Sequence, residues 1–284
     1  MSLVKGSLIG LGSAGALGTG GYFAWRSQQP TDVKSRLVWD GLSVAESKSL
    51  GVYKALYLAN STKDGFSSFV TADDKEKAAP LIKSKCDKLL DVSVSSEEYE
   101  SALQEAKKWC LVPEKSTIEI ALLLEDSEFS SADDDYKNTF ALNKSSQDFI
   151  DAIKNGDDSL KTSSDVSTGF QKVKDWCNKV IKQSPIDVDL RNAKAWCLKG
   201  PSNIKEKLVK DGLVVIGEGG WQQGYVKHKS DSTFLSEISA SQAPAQDSEG
   251  GNKLKTWCES KFTKKLHEND YSSTYEKVRK YCIK

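Results

Sequence analysis

The sequence has few arginines and no excess of either charge. Its 284 residues include 40 basic and 40 acidic side chains, and the only arginines are Arg26, Arg36, Arg191 and Arg279. Nucleic-acid binding requires a basic excess on some face, and the overall balance gives no support for it. Few guanidinium groups are available for bidentate recognition of phosphate or carboxylate. We therefore predict no nucleic-acid partner.

Histidines and closely spaced cysteines are also scarce. Only His228 and His267 are histidines, and the chain contains no C-x-x-C motif. Zinc sites use close cysteine or histidine pairs, haem attachment uses C-x-x-C-H, and a cysteine nucleophile needs a nearby base. The acidic run at 133–135 lacks the spacing of a calcium loop. We therefore predict no metal, no cofactor and no catalytic residues.

Charge is absent from residues 6–25, which lie between Lys5 and Arg26. Twenty helical residues reach about 30 Å, the thickness of the hydrocarbon layer of a membrane. Small residues recur at every fourth position, and this stripe predicts contacts between membrane helices: Gly6, Gly10, Ala14 and Gly18. We predict a membrane anchor at 1–26, with a cleaved signal peptide ending near residue 16 as the alternative.

The six cysteines form three pairs along the sequence. Their separations are 24, 20 and 24 positions for Cys86 and Cys110, Cys177 and Cys197, and Cys258 and Cys282. Apolar residues stand four before and four after each first cysteine, and seven and four before each second one, which is helical spacing. Both cysteines of a pair therefore lie on apolar helix faces. We predict three disulfides, one within each pair, with reduced core thiols as the alternative.

The surroundings of the cysteine pairs repeat as well. Segments 32–42, 117–127 and 203–213 align without gaps, and each is followed by an aromatic pair and then a phenylalanine. Such self-similarity indicates tandem units, which we place at 32–111, 117–198 and 203–284. Each unit should contain a first helix, a middle segment and a cysteine-bearing helical hairpin. The predicted fold class is mainly α, with an α+β alternative because 212–228 has the pattern of two short strands.

Aromatic residues stand directly before five of the six cysteines: Trp109, Trp176, Trp196, Trp257 and Tyr281. A tryptophan beside a disulfide in a small unit is typically part of the core, because its large ring buries much apolar area. We predict that these five side chains fill the core. The buried stripe of the second hairpin helix in the middle unit is predicted to begin at Ile186, eleven residues before Cys197.

The predicted disulfides and anchor together favour an extracellular location for the bulk of the chain, since disulfides persist in oxidising compartments. The charge-poor N-terminal span, the lysine bias and the "KWC" and "WC" motifs resemble the uncharacterised paralogous membrane-anchored proteins of haemotropic mycoplasmas, wall-less bacteria that live on red blood cells. The resemblance implies a single-pass protein of the cell membrane that contacts a host surface molecule or acts as a variable antigen. No functional residue carries over from it.

These observations predict a membrane-anchored, surface-exposed repeat protein without catalysis. Two alternatives remain open. The first is an enzyme with a single site in the third unit, around Trp221, Tyr225, His228 and His267. The second is a structural envelope protein that self-associates through the small-residue stripe of the membrane helix.

Overall fold

The computed structural model describes residues 29–46, 48–244 and 246–284. These residues form fifteen α-helices, and their β structure consists of isolated antiparallel bridges. The mainly α fold class is confirmed. The predicted anchor at 1–26, with the stripe Gly6, Gly10, Ala14 and Gly18, lies outside the described residues. Within the described ranges, no helix has the length and apolar character needed to cross a membrane.

The helices fall into three sets of five along the chain. The first set is α1 Val33–Trp39, α2 Gly51–Asn60, α3 Phe66–Phe69, α4 Lys75–Leu90 and α5 Tyr99–Trp109. The second set is α6 Ile118–Leu123, α7 Asp133–Asn143, α8 Gln147–Ile153, α9 Val166–Val180 and α10 Asp187–Trp196. The third set is α11 Ile204–Lys210, α12 Trp221–His228, α13 Ser232–Glu237, α14 Asp247–Phe262 and α15 Tyr271–Tyr281.

The part of the chain that the structure describes divides into two compact units, with the boundary between Pro113 and Glu114. This boundary lies between the predicted units 32–111 and 117–198. The predicted boundary between 117–198 and 203–284 lies inside the second compact unit, where contacts connect the second and third helix sets. One is the ion pair of Asp134 with Lys265, and another joins Nδ1 of His267 to Oδ1 of Asn138 at 2.8 Å. Helices α6 to α15 therefore share one compact body.

One disulfide joins the two helices of each of the three cysteine-bearing hairpins. The disulfides are Cys86–Cys110 between α4 and α5, Cys177–Cys197 between α9 and α10, and Cys258–Cys282 between α14 and α15. All six cysteines are buried, as expected from apolar helix faces that meet. The predicted disulfides and their pairing are confirmed.

The first helix of each set begins and ends in the same way. Asp32, Thr117 and Asn203 cap α1, α6 and α11, and each side chain accepts a hydrogen bond from the backbone N–H of the third helical residue. A residue with a left-handed backbone stands two or three positions after the end of each helix, with φ of 79° at Gly41, 56° at Asp126 and 76° at Gly212. Glycine suits this conformation, and aspartate tolerates it.

The segment after each first helix is tied to the second cysteine of the same set. Three of the isolated bridges make this connection, in the pairs Val44–Leu111, Phe129–Leu198 and Val215–Ile283. The residue after each of these segment positions donates its backbone N–H to the carbonyl oxygen of the second cysteine. The N···O distances are 2.8 Å for Ala45 and Cys110, 2.9 Å for Ser130 and Cys197, and 2.9 Å for Ile216 and Cys282. The disulfide therefore fixes both the hairpin and the strand-like segment beside it.

Glycines in α9 and α14 allow buried aromatic rings to lie directly against these helices. A Cβ atom on Gly169 would stand 2.1 Å from Cζ of Phe140 in α7. A Cβ atom on Gly250 would stand 2.3 Å from Cε1 of Tyr225 in α12. Both rings are fully buried. The absence of a side chain at these positions therefore sets how closely α7 approaches α9 and how closely α12 approaches α14.

The predicted strand pair at 212–228 is wrong, because residues 221–228 form helix α12. This helix packs along α14, and a Cβ atom on Gly251 of α14 would stand only 2.9 Å from the backbone of Gln222. The β-branched run before it contributes a single bridge, between Val215 and Ile283. Packing on the glycine-lined face of α14 thus overrides the local strand propensity.

The predicted buried stripes of the second hairpin helices differ at one end. Tyr99 in α5 and Tyr271 in α15 stand eleven residues before Cys110 and Cys282, and both are half-buried. Ile186, by contrast, is 63% exposed, because α10 begins only at Asp187 and Ile186 stands at its N-cap. Pro185 precedes it and ends the connection from α9. The helical register that predicted burial therefore does not extend back to this residue.

Candidate functional site

In each helix set, the aromatic residue directly before the second cysteine packs against a buried phenylalanine of the same set. The ring centroids are 5.3 Å, 5.0 Å and 4.9 Å apart in the pairs Trp109–Phe66, Trp196–Phe149 and Tyr281–Phe234. All six side chains are buried. Each disulfide thus has an aromatic pair beside it, and edge-to-face or tilted contacts of this kind stabilise a small core.

The aromatic residues before the first cysteines differ in their surroundings. Trp257, before Cys258, is 9% exposed and packs in the core of the third helix set. Trp176, before Cys177, is half-buried. Its ring centroid lies 5.3 Å from that of Trp196, and its outer part lines an open cavity. Trp176 is therefore the candidate for contact with a ligand.

The cavity beside Trp176 has a volume of about 210 Å³ and is formed by the second helix set alone. Its floor comes from Ala152, Ile153 and Val180. Its polar rim comes from the turn after α8, from α9, from the connection between α9 and α10, and from the start of α10. It consists of Asn155, Lys172, Asp175, Lys179, Gln183 and Asp189. Six of the ten lining residues are polar, a larger share than in sites for drug-sized molecules, whose walls are mostly apolar.

Two of the rim side chains are held by neighbours. Nζ of Lys172 lies 2.9 Å from Asp157, and hydrogen bonds from Lys172 and Ser159 lower the pKa of Asp157 to about 2. Asp175 accepts a hydrogen bond from Gln171 at 2.9 Å. These contacts restrict where Lys172 and Asp175 point, while both remain on the cavity wall.

The other four polar side chains of the rim have unused hydrogen-bonding capacity. Within the described ranges, Asn155, Lys179, Gln183 and Asp189 make no side-chain hydrogen bond or ion pair. Asn155 also has a left-handed backbone, with φ of 46°. Together they offer two amides, an ammonium and a carboxylate to a ligand.

No family model, curated protein or solved structure matches this chain. The chemistry of the cavity therefore follows from its own side chains. Of these, only Trp176 was singled out by the sequence, and there it was assigned to the core. The rim residues come from three elements and carry no common motif, so no sequence signal pointed to them.

The side chains of the alternative enzyme site are divided between two places. Tyr225 and His228 both pack on Phe234, at centroid distances of 6.1 Å and 5.5 Å. Burial lowers the pKa of His228. His267 instead contacts Asn138, and burial lowers its pKa as well. Both imidazoles are therefore neutral at pH 7.

Potential metal ligands are dispersed. In the part of the chain that the structure describes, no three His, Cys, Asp or Glu side chains are grouped so that they could hold a metal ion. The acidic run at 133–135 begins α7, and Asp135 accepts hydrogen bonds from the backbone N–H groups of Ser131 and Ala132. Asp135 therefore serves as a helix cap.

Proposed function

We propose that this protein is a disulfide-framed, non-catalytic binding protein built from three tandem units, 32–111, 117–198 and 203–284. The support is the recurrence of one arrangement in each segment: a capped first helix, a left-handed residue after it, a bridge to the second cysteine, and the disulfide. Repetition of these backbone details at nearly equal offsets favours duplication over coincidence.

We further propose that the three units lie outside the cell and that residues 1–26 anchor them to the cell membrane. Three buried disulfides favour an oxidising compartment, and the uncharged span at 6–25 has the length of a membrane helix. The resemblance to the anchored paralogues of haemotropic mycoplasmas points in the same direction. It also suggests that the ligand belongs to a host cell surface.

The observation that carries the binding function is the contrast between Trp176 and Trp257. Both stand directly before a first cysteine, yet Trp257 is in the core while Trp176 lines a cavity whose rim offers unused donors and acceptors. Partly exposed tryptophans beside polar groups are enriched among contact residues of binding sites.

The test is sedimentation of the oxidised full-length chain with erythrocyte membranes. We expect saturable binding that is lost after reduction and weakened at least about fivefold by Trp176→Ala, which corresponds to removal of one contact residue. Trp39→Ala is the matched control, because Trp39 is 59% exposed and does not line the cavity. Absence of binding, or an equal loss in both variants, would contradict the proposed function.

A further inference from the structure

We propose that the cavity beside Trp176 binds one pyranose ring of a neutral sugar. This inference rests on the proposed binding function and names the chemical class of its ligand. It is argued from the size of the cavity, from the charge of its lining, and from the donors and acceptors on its rim.

The volume limits the ligand to a single small ring. The cavity measures about 210 Å³, which is below the roughly 300–1,000 Å³ of sites for drug-sized molecules. Asn155, Lys179 and Gln183 are exposed, so the cavity opens to solvent on that side. A ring can therefore enter, and the rest of a longer glycan can remain outside.

The charge of the lining favours a neutral ligand. Two cationic side chains, Lys172 and Lys179, are balanced by two carboxylates, Asp175 and Asp189. An anionic ligand would meet both carboxylates, and a cationic one would meet both ammonium groups. The opposite charges of the lining offset each other, so neither an anion nor a cation gains a net electrostatic attraction from this site. A neutral polar molecule needs no such attraction.

The arrangement of apolar and polar groups matches the two sides of a sugar. A pyranose has an apolar C–H face and a rim of hydroxyl groups that both donate and accept hydrogen bonds. Trp176 and the floor formed by Ile153 and Val180 offer apolar contact for the face. The free amides and the carboxylate of Asp189 offer acceptors and donors for the hydroxyls.

The second helix set alone combines these groups. The residue at the position of Trp176 is Lys85 in the first set, and its Nζ lies 5.2 Å from the ring centroid of Phe69. In the third set, Trp257 is buried. The proposal therefore predicts one sugar site per chain rather than three.

The experiment is saturation-transfer-difference NMR on the oxidised full-length protein with the methyl glycosides of glucose, galactose and mannose. We expect at least one to bind, with a dissociation constant on the order of 1 mM, because a ring of this size offers few contacts. Trp176→Ala should abolish the signal. Asp189→Ala should weaken binding roughly tenfold, since it removes a charged acceptor.

The matched control is Asp187→Ala, because Asp187 also lies in the first turn of α10 but does not line the cavity. It should bind like the unmodified chain. Asp189 is on the rim, so its substitution tests the site even if Trp176→Ala fails to fold, which near-UV circular dichroism reports. The sugar proposal is overturned if none of the three glycosides gives a saturation-transfer signal, or if Asp189→Ala and Asp187→Ala bind the glycoside equally well. It is also overturned if a sugar acid binds more tightly than the neutral glycosides. Membrane binding without glycoside binding would leave the proposed function intact.

Discussion

Substitution Gly169→Ala should destabilise the second compact unit, although alanine is the better helix former. The added Cβ would stand 2.1 Å, 2.2 Å and 2.4 Å from three ring carbons of Phe140, whereas ordinary van der Waals contacts of a Cβ begin at 3.4 Å. Phe140 belongs to α7, and its ring is fully buried against α9. The ring therefore cannot move out into solvent without a loss of packing.

The magnitude follows from two opposing terms. Overpacking of a well-filled core costs about 1–3 kcal/mol, and more when the ring is forced out of its place. The higher helix propensity of alanine offsets about 1 kcal/mol of this. Because the added Cβ would stand only 2.1 Å from the ring, the overpacking cost should lie at the upper end of this range. We therefore expect a net loss of about 2 kcal/mol, or about 4–8 °C in melting temperature at about 2–4 °C per kcal/mol for a unit of this size.

The assay is thermal unfolding of the oxidised chain, followed by circular dichroism and calorimetry. Gly200→Ala is the control, because nothing lies within 4 Å of a Cβ at that position; its effect should stay within about 0.5 kcal/mol. Adding Phe140→Leu to Gly169→Ala should restore part of the lost stability, since the shorter side chain leaves room for the new methyl group. If Gly169→Ala unfolds no earlier than Gly200→Ala, the packing of Phe140 on α9 is refuted.

Three further predictions concern stability. Tyr225→Phe should raise the free energy of unfolding by about 1 kcal/mol in urea titrations, because the buried hydroxyl of Tyr225 has no hydrogen-bond partner among the described residues. Tyr136→Phe is the contrasting variant and should lower the free energy of unfolding, because it removes a hydrogen bond of 2.8 Å to the carbonyl of Ser130. Reduction should lower the melting temperature, as each 20- to 24-residue loop contributes about 3 kcal/mol when closed; an unchanged melting curve in dithiothreitol would argue against this. Burial lowers the pKa of His228 and His267 below 6.5. As the pH falls, these histidines therefore take up protons in the unfolded chain before they do so in the folded one. The free energy of unfolding should be at its full value above pH 6.5 and should decrease as the pH drops through that value. Urea titrations between about pH 7.5 and pH 5 should show this, and replacing both histidines with glutamine should flatten the profile; an equal slope without them would contradict it.

Some features of the candidate site could be predicted from the sequence and others could not. The position of Trp176 next to a core cysteine was evident, because helical periodicity fixes which residues neighbour Cys177. Whether the ring of Trp176 is covered was not evident, since that depends on side chains from α8 and α10, outside the helix that carries Trp176. Asp189 and Asn155 became rim residues only when these elements met.

The sequence by itself determined the disulfide pairing, the first helix of each set and the helical hairpin that carries the cysteines. Cysteine spacing and the 3.6-residue apolar period are local, and the repeat shows them three times. Only the tertiary structure decided that 221–228 is a helix, that Ile186 is exposed, and that Trp176 lines a cavity. Helix α12 and the cavity beside Trp176 depend on distant surfaces, namely the glycine face of α14 and the gap between α8 and α9. The exposure of Ile186 depends on where α10 begins, which the apolar period alone does not fix. Local propensity differs by too little between the competing states to decide them.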